Sequence, residues 1–432
     1  MGALWAAKVE RMNGAICQGV GPGLRHSYSA KSTDDGPSLA VYRLGSMTII
    51  TDTRTLTRLC ADLGHADYIT VDTEFLRDST YYSKLCLIQV AGPNGAWIID
   101  ALADGLELAP FFELLVAPRT LKVFHAARQD IEIFFHLMDR IPEPVFDSQV
   151  AAMVCGFGDA VSYEKLALRL TGARLDKSSR FTDWSRRPLS KRQIDYALGD
   201  VTHLRGVYET LADQLDASDR MHWLDEEMAI LMAPETYAND AESAWRRLKS
   251  RSNDRRYLAV LKEVAAWRER QAQARDVPRN RVLRDEAVLK LAAQAPTSVD
   301  DLANMRALPG GFARRREAAE LLAAVRHGLE TPPEFQPKPE SRPGNHQDRI
   351  AVVELLKVLL KAKCEEHGVA QKLVATSADL QRIAVEDAPD VPAVKGWRHD
   401  LFGADALALK RGEVALAAKG RRIRMVQLRN AD

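Results

Sequence analysis

The residues with the clearest chemical potential are Asp72 and Glu74, at the end of an apolar, β-branched run that starts at Tyr68 (YITVDTEF). Successive side chains of a strand alternate faces, so these two carboxylates point the same way, while Ile69, Val71, Thr73 and Phe75 point the other. Two acids side by side at the end of a buried strand repel each other, and burying them unpaired is costly. A divalent cation is the simplest compensation; two solvated carboxylates on an edge strand are the alternative. Further oxygen donors lie downstream. Asp130 sits in HAARQDIEIFF, early in a helix that follows the strand LKVF. Asp200 sits on a later helix, with Tyr196 one turn before it on the same face. Carboxylates suit Mg²⁺ or Mn²⁺, hard cations that leave room for water and phosphate oxygens. Two such ions about 4 Å apart can activate a water and stabilise the leaving oxygen of a phosphodiester.

Short strands and helices must position these groups. The pattern gives strands at 48–50, 68–75, 85–90, 97–99 and 121–124, and helices at 106–116, 127–139, 148–155, 162–170 and 191–212. Ser83–Val90 follows the first acidic strand closely enough to form a hairpin or meander with it. Strands early and helices late suit a mixed sheet flanked by helices. The helix that carries Tyr196 and Asp200 is well signalled. Ser190 and Gln193 form a capping box, and Ile194, Ala197, Val201, Leu204, Tyr208 and Leu211 make an apolar stripe.

Beyond residue 215 no strand alternation is evident. Residues 240–326 are helical and Arg-rich, and TPPEFQPKPESRPGNHQD (331–348) reads as a semi-rigid linker. Helical character resumes at Arg349. The two helical stretches look like a diverged repeat, offset by about 90 residues. Residues 1–46 sustain no periodicity. They are expected to be a disordered tail or an extension upstream of a natural start at Met47, with an organellar transit peptide as the rival.

The composition sets outer limits. A chain of 432 residues with 46% hydrophobic and 28% charged residues is expected to form two to four globular domains. Its net charge of +1 argues neither for nor against a polyanionic partner. Cys17, Cys60, Cys86, Cys155 and Cys364 are scattered without a C-x-x-C pair, which disfavours a disulfide framework or zinc ribbon and fits a reducing cytoplasm.

Taken together, VDTEF, H-A-x-x-x-D and Y-x-x-x-D resemble the three exonuclease motifs of the DEDD superfamily of 3′→5′ exonucleases. YYSKLCLIQVAG, FDSQVAA, SYEKLA and DWSRRPLSKRQIDYALGDVTHL narrow the resemblance to the ribonuclease D family. Asp195 stands where the histidine subtype has its His, so Tyr196 marks the tyrosine subtype. The stretch LKEVAAWRERQAQARDVPRNRVLRDEAVLKLAAQAP resembles an HRDC helical domain. Residues 349–428 look like a second copy that lacks the V-P and V-L-x-D residues, with Trp397 and Arg398 displaced late.

This resemblance implies a ribonuclease-H-like α/β exonuclease domain with a mixed sheet at 47–215, followed by two all-α HRDC-like domains at 240–328 and 349–428. A connecting segment at 216–239 and the linker at 329–348 would join them. By the same resemblance Asp72, Glu74 and Asp200 hold one metal ion, and Asp72 with Asp130 a second. Tyr196 orients the attacking water; with an ordinary pKa near 10 it is a poor base at neutral pH. Phe75 and Leu76 are expected at the terminal base, and Gln89, His125 and Asp147 at the substrate. Their structural alternatives are a buried amide, a satisfied histidine and a helix N-cap. The expected partner is RNA, with precursor tRNA as the family's substrate, and the expected state is a cytoplasmic monomer. The same chemistry on DNA and a catalytically dead RNA-binding scaffold are the rivals.

Overall fold

The computed structural model describes residues 49–176, 179–250, 252–337 and 350–428. The expectation for residues 1–46, and most of the proline-rich 329–348 stretch, lie outside the described residues. The acidic strand is central. β1 (Ile49–Ile50), β2 (Tyr68–Leu76), β3 (Lys84–Gly92), β4 (Gly95–Asp100), β5 (Leu121–Phe124) and β6 (Val145–Asp147) form one sheet in the order β1-β4-β3-β2-β5-β6. β2, β3 and β4 are an antiparallel meander, and the β1/β4, β2/β5 and β5/β6 pairs are parallel.

Alternation along the strands sorts the two faces. Ile69, Val71, Ile88 and Val90 pack against α1 (Thr53–Leu63), α2 (Ala109–Leu115) and α3 (Arg128–Met138), meeting Leu56, Phe111, Ile131 and Phe134. The other face carries α4 (Ser148–Val154), α5 (Tyr163–Thr171) and α6 (Lys191–Ala217). There Leu87 and Ile98 pack with Ala197, and Val123 and Phe146 belong to one core with Ala152, Leu166, Leu204 and Val207. The capping box at Ser190 and Gln193 is formed, and α6 runs on to Ala217 rather than ending at 212. Two elements had no readable pattern. α1 is capped by Asp52, whose carboxylate accepts from the Thr55 N–H at 2.9 Å. β6 is three residues long, too short for alternation to register.

Past α7 (Met221–Leu231), α8 (Arg255–Ala274), α9 (Arg279–Val282), α10 (Asp285–Gln294), α11 (Val299–Asn304) and α12 (Glu317–Glu330) close around Leu261, Val264, Trp267, Val288, Leu291 and Leu321. α13 (Ile350–His367), α14 (Gln371–Val374), α15 (Ser377–Val385), α16 (Gly396–Arg398) and α17 (Ala404–Arg411) repeat much of that order. One detail explains the displaced Trp-Arg pair. Arg268, from α8, donates to the Leu283 carbonyl at 3.1 Å. Arg398, from α16, donates to the Leu373 carbonyl at 2.7 Å. An arginine pins the equivalent turn in both units, but from different helices. The second unit also departs from the expected absence of strands: β7 (Val414–Lys419) and β8 (Arg422–Gln427) form an antiparallel hairpin. Its alanines read as helix formers; the informative signal is Gly420, which turns the chain at φ +63°.

Both helical units dock on the α/β domain. Glu269, 1% exposed, accepts from Arg279 at 2.6 Å through both oxygens and from the Tyr81 hydroxyl, while the Asp276 carboxylate accepts the Tyr81 and Tyr82 N–H groups at 3.0 Å. On the second unit, Arg220 donates to the carbonyls of Val154 and Gly368, both at 3.2 Å, and Trp223 stacks on Trp397 at 4.3 Å. Glu269→Ala removes the buried carboxylate and leaves the Arg279 guanidinium only its 3.0 Å bond to the Tyr81 hydroxyl. It is expected to cost about 3 kcal/mol in urea unfolding, and Glu269→Gln clearly less. Equal midpoints for the wild type and both variants would contradict this clamp.

Candidate active site

The fold brings Asp72, Glu74 and Asp200 together: one carboxylate oxygen from each lies within 4.8 Å of the others. Asp72 and Glu74 share a face of β2 because they are two residues apart, as the sequence pattern requires. Asp200 comes from the face covered by α6, its position phased by the Ser190 cap ten residues upstream. Asp130 is not part of this trio. It lies in the first turn of α3, 6% exposed, and its carboxylate accepts the Thr73 hydroxyl at 2.5 Å. Thus Thr73, on the opposite face of β2 from Asp72, ties the fourth acid to the strand that carries the first two.

All four acids line one cavity of about 680 Å³. Phe75, Leu76, His125 and Tyr196 line it too. His125 Nδ1 lies 2.9 Å from the Ser148 hydroxyl, and burial lowers its pKa, so the ring is held neutral. Gln89 and Asp147, expected at the substrate with a buried amide and a helix N-cap as their alternatives, do not line this cavity. Gln89 is fully buried opposite Asp72 in the β2/β3 ladder and lines none of the cavity, because β3 is covered on both faces. Asp147 is the N-cap of α4, accepting from Gln149 at 2.8 Å and Val150 at 3.4 Å. It also accepts from Ala126 at 3.0 Å and Ala127 at 2.8 Å. It therefore braces the β5–α3 connection that presents His125 and Asp130. Single-residue reading missed Tyr163, Arg180, Phe181 and Trp184, all cavity-lining. Tyr163 follows the N-cap Ser162 and donates to the Gly199 carbonyl at 3.2 Å, beside Asp200.

Electrostatics follow from this crowding. Burial raises the Asp72 pKa to about 6. Burial and then the Asp72 charge raise Asp200 to about 8. Burial, then Asp72, Asp200 and Asp130, push Glu74 up to about 10, with Arg180 opposing. Asp130 is raised well above the carboxylate range by burial and Asp72, against the hydrogen bond from Thr73. The Tyr196 phenol is raised by burial and then by Asp200, to which it is hydrogen-bonded. It is therefore a neutral donor throughout the physiological range. An all-oxygen donor set that resists ionising by itself fits a hard divalent cation, whose charge would reverse that resistance.

Fold and site define a 3′–5′ exonuclease built on an acid cluster, and the comparisons with known proteins agree. The protein-family model described as "3'-5' exonuclease" matches residues 47–216, and that described as "HRDC domain" matches 257–325. Ribonuclease D of Granulibacter bethesdensis is 51% identical over 385 residues, covering 89% of this chain and 98% of that protein. Ribonuclease D of Nitrobacter hamburgensis is 52% identical, covering 88% and 99%. The crystal structure of Escherichia coli RNase D, described as an exoribonuclease involved in structured RNA processing, superposes with a TM-score of 0.74. The two are 27% identical over 85% of this chain and 99% of that one. The chain belongs to the ribonuclease D family. It is a 3′–5′ exoribonuclease, of a family that uses divalent metal ions.

Raised carboxylate pKa values mean that the cation-free fold holds protons the unfolded chain has released. Stability from these groups is therefore fully present below about pH 4 and is lost as pH rises through the folded-state values. Mg²⁺ competes with those protons, so its stabilisation should grow with pH across the window from about 6 (Asp72) to about 10 (Glu74). Thermal melts with and without Mg²⁺ at several pH values measure this directly. Above about pH 8, where Asp200 has given up its proton, Asp200→Asn should melt higher than the wild type without metal, because a repelling charge is gone, and it should lose the Mg²⁺ response. A pH-independent Mg²⁺ shift would remove the acid cluster as the metal site.

Proposed function

We propose that this exoribonuclease trims the 3′ ends of precursor tRNA and other structured RNAs, releasing 5′-nucleoside monophosphates one at a time. The observation that carries the reading is the convergence of Asp72, Glu74 and Asp200 within 4.8 Å, with Asp130 beside Asp72 in the same cavity. Asp72, Glu74 and Asp200 would hold one divalent ion, and Asp72 with Asp130 a second. Such a pair, Mg²⁺ or Mn²⁺, would supply activation of a water and charge stabilisation of the leaving oxygen in an in-line displacement. Tyr196 donates its phenolic hydrogen toward that water; burial and the neighbouring acids keep the proton in place. Asp200, which accepts a hydrogen bond from Tyr196 in the absence of substrate, fixes the ring one helical turn away. His125, held by Ser148, lines the cavity, and Phe75 and Leu76 contact the terminal nucleotide.

The division of the chain is part of the proposal: an exonuclease domain at 47–215, a connection at 216–239, a first HRDC domain at 240–328 and a second, diverged one at 349–428. Arg256, Arg281 and Arg284 of the first helical domain contribute sequence-independent affinity for RNA phosphates, whereas Arg255 is engaged by the Pro333 and Gln336 carbonyls. Arg268 and Arg279, which share the basic character of that stretch, are instead engaged within the protein by Asp285 and Glu269. The enzyme acts as a cytoplasmic monomer; among the described residues no helix is long and apolar enough to cross a membrane.

The decisive experiment digests a tRNA carrying extra 3′ nucleotides alongside a DNA oligonucleotide of matched sequence, with Mg²⁺ and with EDTA. Metal-dependent release of 5′-monophosphates from the RNA, with slower attack on DNA, is expected. Asp72→Ala should abolish release with an intact fold, and Tyr196→Phe should lower kcat by about 10²-fold with little change in RNA affinity. Turnover by Asp72→Ala at the wild-type rate would overturn the assignment.

A further inference from the structure

Phe181 is the most exposed of the large apolar side chains exposed among the described residues, at 92%. Scattered apolar residues on a surface are ordinary and need no explanation. This one differs in where it stands and in how its surroundings are built. It lines the catalytic cavity, between Arg180 and Thr182, together with Asp72 and Glu74 of β2. The chain on its C-terminal side is firmly anchored. Trp184 is 2% exposed and packs at 5.9 Å from the Tyr196 ring. Arg187 grips Asp100 through two bonds of 2.6 and 2.5 Å, and also holds the Trp184 carbonyl at 2.7 Å and the Cys86 carbonyl at 3.2 Å. Nearer still, the Thr182 hydroxyl donates to the Ser179 carbonyl at 2.8 Å and accepts from the Gln193 amide at 3.3 Å. An aromatic ring is thus presented to solvent at the cavity by a segment fixed to the sheet and to α6.

We propose that Phe181 is a stacking platform for a base of the RNA strand entering the site, with Arg180 beside it to meet the strand's phosphate charge. The Arg180 guanidinium lies 5.4 Å from the Phe181 ring centroid, so the apolar face and the cation are delivered together. Arg180 lines the same cavity as Glu74 and Asp200, and its charge favours the ionised form of both. An aromatic face next to a cation is what a single strand rewards without regard to sequence: every base has a π-face and every linkage a negative charge. A ring this exposed in the free protein loses little on being covered. Phe75 lines the same cavity from the end of β2, so the two aromatics reach it from different elements. The proposal rests on the exoribonuclease activity, which wild-type release of mononucleotides checks separately.

The test uses the full-length protein. Phe181→Ala removes a side chain with almost no buried surface, so the melting temperature and Mg²⁺ affinity should not change. KM for a single-stranded oligoadenylate should rise about tenfold, with kcat within about twofold, because one base stack is lost. Phe181→Trp should restore KM. Placed in an Asp200→Asn background to prevent cleavage, the new indole should be quenched by oligoadenylate and far less by an abasic strand of equal length. A wild-type KM for Phe181→Ala, or equal quenching by the abasic strand, overturns the proposal. If wild-type protein released no mononucleotides, the exoribonuclease reading would fail instead.

Discussion

The structure depends on holding mutually repelling carboxylates in a half-buried place. Asp72 and Glu74 are fixed by a strand with a neighbour on each side, β3 antiparallel and β5 parallel. Asp200 is fixed by a 27-residue helix whose register is set by its cap, and Asp130 by the first turn of α3. No one of these elements could hold the cluster alone. Burial raises the pKa of every member, and neighbouring charge adds to it for Glu74, Asp130 and Asp200, so the cores on both faces of the sheet must offset that cost. Because regular elements hold the donors, they wait in place for a cation instead of being gathered from flexible segments.

Much of this was legible in sequence, because it is set by periods. Two-residue spacing puts Asp72 and Glu74 on one face, four-residue spacing puts Tyr196 over Asp200, and the Ser190–Gln193 box starts the helix that carries them. The family motifs supplied Asp130, which no local pattern ties to Asp72. What failed has a common cause: periodicity says which way a side chain points, and nothing about what covers it. Gln89 is a polar residue in an apolar run, an ordinary sign of function, yet β3 is buried on both sides and the amide never reaches the cavity. Asp147 was readable as a cap from the Ser148 that follows it. That it also takes two N–H groups from the β5–α3 connection depends on a tertiary contact.

The same distinction applies to the helical units. Trp397 and Arg398 looked like displaced motif residues, and by sequence they weakened the case for a repeat. In space Arg398 performs for the Leu373 turn what Arg268 performs for the Leu283 turn. The requirement is for a guanidinium at a buried carbonyl, and it can be met from whichever helix passes close enough. Conservation of an interaction is compatible with loss of the motif that first announced it.

The clamp on the first helical unit has a consequence for catalysis. The connection between β2 and β3 runs from residue 77 to 83. At its start Arg77 and Asp78 line the catalytic cavity; at its end Tyr81 and Tyr82 are bonded to Glu269 and Asp276 of α8 and the turn after it. Seven residues cannot move freely when both ends are held, so the wall of the cavity and the helical unit are mechanically one piece. A helical unit is commonly regarded as a separate surface that adds affinity. Here it also restrains the loop that follows the first two metal-binding acids, and that contribution needs no contact between the unit and RNA.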